Sequence, residues 1–123
     1  MVNHKLLQPQ EIEVWYILPA IRRELAIAMK NLNLEQKDIA RILGISAAAV
    51  SNYFTAKRAT EVKFDEEMRI EIEKAANMVI KDNSRITSEI QTLLKSMLIK
   101  KVVCDIHKAH CNVGNNCEVC FQE

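Results

Sequence analysis

Cys104, Cys111, Cys117 and Cys120 lie within the last twenty residues of a 123-residue chain whose first 103 residues contain no cysteine. Thiols gathered in this way bind metal or exchange electrons, and a cytosolic chain with enough apolar residues for a core does not need them as disulfide staples. Cys117 and Cys120 have the C-x-x-C spacing that lets two thiolates reach one metal centre through a tight turn, and Gly114, Asn115 and Asn116 supply the approach. Cys104 and Cys111 are further apart. On one continuous helix they would be separated by roughly 10 Å along the axis, too far for a single tetrahedral zinc ion. Either the helix ends near Cys104 or the site is larger than one zinc. Four thiolates at irregular spacing suit a [4Fe–4S] cluster, which tolerates wider ligand separation, and Cys104, Cys111, Cys117 and Cys120 are expected to hold one. The other readings are a zinc site from Cys117, Cys120 and two of Cys104, His107, His110 and Cys111, a pair of redox-switchable disulfides, or unconnected thiols. With four cysteines filling a coordination sphere, His107 and His110 are expected to face solvent.

The elements that position these residues read as helices throughout, so the expected fold class is all-α. Pro9 opens a short period Ile12, Trp15, Tyr16, and Pro19 interrupts or restarts it. Ile21, Leu25, Ala28, Met29 and Leu32 recur as one buried face, leaving Arg22, Arg23 and Lys30 for solvent or phosphate, and the helix should stop near Asn31 to Asn33. A helix from Glu35 to Leu43 stops at Gly44, and Ser46 caps the next, from Ala47 to about Phe54. Val62 to Lys81 forms a long amphipathic helix with Phe64, Met68, Ile72, Ala75, Ala76 and Val79 inward and its acidic residues in water. Asp82, Asn83 and Ser84 make a turn. The last helix carries Ile86, Ile90, Leu93, Leu94, Met97, Leu98, Ile99, Val102 and Val103, nearly two apolar faces, which suit either a central core helix of one chain or a helix with one face for its own domain and one for a second copy.

Composition narrows the function classes. With only Gly44 and Gly114, the chain has neither a phosphate-cradling loop nor a dinucleotide fingerprint. The formal net charge of +1 divides into +3 over residues 1–60, −3 over 61–83 and +1 over 84–123, which permits a phosphate-facing patch in the first part. No apolar run is long enough for a membrane span, and Met1 to Gln10 lacks the apolar region of a secretory signal, so a cytoplasmic protein without membrane contact is expected.

The stretch Gln36 to Thr55, QKDIARILGISAAAVSNYFT, combines a small Ala40, Gly44 at a turn that favours positive φ, and a shared set of Ile39, Leu43, Ile45, Val50 and Tyr53. It resembles the helix-turn-helix of the phage-repressor or XRE family of regulators, and the flanking LPAIRREL and YFTAKRA segments look like small archaeal members of that family. The resemblance covers residues 18 to 60. It implies a first helix lying across the DNA backbone and a second entering the major groove. Gln36 and Lys37 then hold phosphate oxygens at the start of the positioning helix. Ser46, Ala47, Ala48, Ser51, Asn52 and Thr55 fall on the outward face of the recognition helix, and Lys57 and Arg58 clamp phosphates beyond it. Three consecutive alanines depart from the usual long amides or arginines. Ala offers only methyl contact with thymine and Asn52 a bidentate pair with adenine, so readout should be modest and lean towards A·T.

The organisation expected is a DNA-binding domain over residues 1–60, a helical dimerisation region over 61–103 and a cysteine-rich tail over 104–123. The function expected is a homodimeric, sequence-specific transcription regulator without enzymatic activity, binding a double-stranded DNA operator and sensing redox state, oxygen or iron through the cluster. The alternatives are a constitutive DNA binder or adaptor with a structural zinc site, and a redox protein or electron carrier using the cluster.

Overall fold

A computed structural model describes residues 8–55, 62 and 64–110, without side-chain detail at 97, 98 and 108–110. The fold is all-α, with no strand among the described residues. Helix α1 (Pro9–Ile12) passes through a π turn (Glu13–Ile17) into α2 (Leu18–Asn31). Pro19 thus stands in the first turn of α2, where the helix restarts after the π turn. A proline is tolerated in a first turn because its missing N–H is not needed there, and the π turn, closed by Leu18 N–H to the Glu13 carbonyl, widens the backbone immediately before it. Beyond α2 come α3 (Gln36–Leu43), α4 (Ala47–Thr55), α5 (Glu66–Lys81), a 3₁₀ turn (Asn83–Arg85), α6 (Ile86–Lys95) and α7 (Met97–His110).

Helix α2 is central, packing against α3, α4 and α5. Ile21, Leu25 and Met29 are fully buried on it and meet a core that includes Ile39 of α3, Val50 of α4, and Met68, Ile72 and Val79 of α5. Its end lies where the asparagines predict: Asn33 takes a left-handed φ of 71°, and Leu34 N–H donates to the Met29 carbonyl at 3.1 Å. The amphipathic helix begins later than expected, at Glu66, because the Asp65 carboxylate accepts from Met68 N–H at 2.9 Å and caps it there. Glu24 on α2 pairs with Arg23 at 3.5 Å and reaches Arg69 of α5 at 3.9 Å, tying those two helices at the rim of their contact.

The single helix expected from Ile86 through Val103 is two helices. Ser96 takes an extended ψ of 141°, with its N–H on the Leu93 carbonyl, and its own carbonyl accepts from Lys100 N–H at 3.1 Å. The break turns α7 back against α1 and the π turn while α6 stays on α5. Ile90, Leu93, Ile99 and Val103 are buried, and Ile86, Leu94, Val102 and Ile106 pack against the same core. Much of the apolar surface that the sequence offered to a core and to a second copy thus packs within one chain, with Ile86, Leu94 and Val102 half-buried and the side chains of Met97 and Leu98 outside the described residues.

Candidate nucleic-acid interface

Local chemistry fixes the α3 and α4 pair. At the end of α3 Gly44 has φ 69° and ψ 32°, its N–H donates to the Arg41 carbonyl at 3.3 Å, and Ile45 N–H donates to the Ala40 carbonyl at 3.1 Å. These bonds close carbonyls that the helix end would leave open, and only a residue at ease in the left-handed region allows them. Three residues, Gly44 to Ser46, join the helices. The Ser46 hydroxyl accepts from Ala49 N–H at 3.0 Å and starts α4. Ile39, Val50 and Tyr53 are buried between the helices and α2, with Leu43 and Ile45 packed at the edge. Gln36 adds a brace: its Nε2 donates to the Ala47 carbonyl at 3.1 Å, joining the first turn of α3 to the first residue of α4.

Buried Val50 and Tyr53 turn the opposite side of α4 outward. Ala47, Ala48, Asn52 and Thr55 are exposed and Ser51 is half-buried on the same face. Thr55 Oγ1 donates to the Ser51 carbonyl at 3.0 Å, which occupies the hydroxyl proton and leaves the oxygen's lone pairs outward. Asn52 is exposed, and its amide makes no hydrogen bond among the described residues. The helix has no charged residue, so any phosphate attraction comes from its flanks.

On those flanks Lys37 is 79 % exposed and reaches Glu35 at 3.5 Å, while Arg41 reaches Asp38 at 3.5 Å. Such exposed pairs contribute about 0–1 kcal/mol and yield readily to a phosphate. Lys30, at the end of α2, sits 4.4 Å from the centre of the Phe54 ring and brings a third cation beside α4. Arg41 was not among the residues expected at the site. Its position five residues beyond Gln36 on an exposed side of α3 could have suggested it. Lys57 and Arg58 lie outside the described residues. Among the others Gln36, Lys37, Ser46, Ala47, Ala48, Ser51, Asn52 and Thr55 all belong to α3, α4 or the turn between them, although the Ser46 hydroxyl and one Gln36 N–H are engaged within the protein.

Of the cysteines, Cys104 is described and Cys111, Cys117 and Cys120 lie outside the described residues. The helix does not end near Cys104, since α7 runs on to His110. Cys104 is 5 % exposed. His107, expected at the solvent face, is 8 % exposed, and the reason is periodic: Ile99, Val103 and His107 recur every four residues, so His107 extends the buried stripe. That spacing was readable in the sequence. Among the described residues no helix is long and apolar enough to cross a membrane. In comparisons with protein families, curated proteins and solved structures, no family model, no curated protein and no solved structure matches the chain.

Proposed function

We propose that the chain is a DNA-binding transcription regulator in which α3, Gly44 and α4 act as a helix-turn-helix, α4 reading base edges in the major groove. The observation that carries this is the outward face of α4: five small or amide-bearing residues, Ala47, Ala48, Ser51, Asn52 and Thr55, without charge, on a helix braced from behind by buried Val50 and Tyr53. Small side chains at the first turn let the backbone approach a groove closely, and a free amide can pair with adenine. Lys30, Lys37 and Arg41, with Lys57 and Arg58, supply the phosphate contacts that orient it. A two-fold operator takes two copies, and the half-buried apolar residues of α6 and α7, Ile86, Leu94 and Val102, are candidates for their seam. The C-terminal cysteines form a metal site. Four thiolates alone favour an iron–sulfur sensor, whereas the burial of His107 near Cys104 on α7 favours the second reading, a DNA binder stabilised by structural zinc.

Selection of bound duplexes from a random pool, followed by titration of the best duplex at several salt concentrations, tests the proposal. Enrichment of an A·T-containing motif is expected, with log affinity falling against log salt by about 0.9 per phosphate contact. Lys57→Ala and Arg58→Ala should each lower that slope by about one contact while leaving sequence preference intact. A pool that stays random through selection would overturn the reading.

A further inference from the structure

We propose that the cleft between α2 and α5 binds a small organic monocarboxylate with a short apolar body. The site is independent of the DNA reading and of the cysteines. The cleft has a volume of about 360 Å³, at the small end of the range for ligand pockets. Ile27 and Ala28 of α2 and Ile72 of α5 are its apolar walls, and Arg23, Glu24, Arg69 and Glu73 its charged ones. Two guanidiniums share one carboxylate there: Glu24 lies 3.5 Å from Arg23 Nη1 and 3.9 Å from Arg69 Nε. Both contacts are longer than the about 2.7–2.9 Å of a charge-assisted hydrogen bond. Two cations on one anion also leave a positive charge unmatched within the trio. The Arg23 side chain is 29 % exposed, yet its Nε is buried and has no hydrogen-bond partner among the described residues. A buried donor in a native fold is ordinarily paired.

The unmatched charge and the orphaned donor set the ligand class. A carboxylate accepts two parallel N–H bonds from a guanidinium fork. Turning Arg23 away from its long Glu24 contact offers Nε and one Nη to such a group side by side, and the exposed Arg69 can close on it from α5. The apolar body of the ligand then lies against Ile27, Ala28 and Ile72, where its burial adds affinity that an inorganic anion cannot gain. Glu73 lines the same cleft, is exposed and makes no ion pair among the described residues. Its carboxylate repels a second negative charge on the ligand, so the site selects one carboxylate rather than two.

The test follows the isoleucine methyl resonances of full-length protein as isocaproate is added, with inorganic phosphate and succinate as parallel titrations. Shifts at Ile27 and Ile72 that saturate at millimolar isocaproate are expected, with phosphate and succinate bound about tenfold more weakly or worse. Arg69→Gln should weaken isocaproate binding about tenfold, and Arg69→Lys less, because an ammonium keeps the charge without the fork. Glu73→Gln should bring succinate close to isocaproate. Arg69 and Glu73 are both exposed, so thermal unfolding of these variants should stay near that of the unaltered protein, which separates a lost contact from a lost fold. Isocaproate that leaves Ile27 and Ile72 unshifted, phosphate or succinate bound as tightly as isocaproate by the unaltered protein, or an isocaproate affinity unchanged in Arg69→Gln would overturn the proposal.

Discussion

The pairs α3 with α4 and α6 with α7 are both short helices joined by a brief break, yet they are built for different ends. Gly44 to Ser46 closes α3 with backbone bonds and opens α4 with a hydroxyl cap, so that pair holds its geometry with a small core. Its outer face is left to Ala47, Ala48 and Asn52. At Ser96 a single extended residue does the turning, and both following and preceding helices bury apolar side chains, among them Leu93, Ile99 and Val103. The first pair uses its caps to hold an exposed, uncharged face on α4. The second uses its apolar residues to complete the fold, with Cys104 and His107 as polar members of the buried side at its end.

By that division the largest effect on stability belongs to the second pair. Ile99→Ala, at a fully buried position, should cost about 2–5 kcal/mol in denaturant unfolding, while the folded protein keeps its DNA affinity. A change in the affinity of folded protein would make α7 part of the interface. Gly44→Ala is sharper, because a Cβ there meets no atom within 4 Å and only the φ of 69° opposes it. The cost should be about 1–2 kcal/mol, smaller for Gly44→Asn, and a larger loss would mean that the turn packs more tightly than its geometry shows. Ser46→Ala should cost about 1 kcal/mol through the lost cap, with Ser46→Asp recovering it. The same variant series in thermal unfolding would show whether the cap or a DNA contact is the main duty of Ser46.

The smallest effect lies at the entrance to the second pair. The Asp82 carboxylate accepts from the Ser84 hydroxyl at 2.6 Å and from Ser84 N–H at 3.1 Å. The hydroxyl bond first and the backbone bond second hold its pKa below the ordinary carboxylate value. A carboxyl depressed in the folded state stabilises it fully above the unfolded pKa and loses that contribution as pH falls through the folded value. Asp82→Asn should therefore remove a small part of the acid dependence of stability, and an NMR titration of the Asp82 carboxyl should follow the same low-pH window. A midpoint at or above the ordinary aspartate value would contradict the cap.

The helix ends were legible wherever a residue type fixes a backbone state. Gly44, Asn33 and Ser46 mark turns and caps through local chemistry, and the structure places them in those roles. Ser96 stands before Met97 as Ser46 stands before Ala47, yet its mark was hidden by its neighbours. Serine is also tolerated within helices, and the apolar residues on either side kept a helical period, so the period ran through a break that α7 packing onto α1 accompanies. Pro19 marked the first turn of α2, while the π turn before it had no signal in the apolar period. At the candidate interface the outward face of α4 was readable from the positions of Val50 and Tyr53. The bond from Gln36 to the Ala47 carbonyl was not, because it joins residues eleven apart through a turn geometry that only the fold supplies.

The central claim is that α4 reads sequence, and Asn52 tests it most directly. The affinities of the unaltered protein and of Asn52→Ala should be measured on the selected duplex and on a scrambled duplex of equal length at one salt concentration. The account predicts a loss of about 1–3 kcal/mol on the selected duplex and none on the scrambled one. Equal losses on both, or unchanged affinity on the selected duplex, would contradict it.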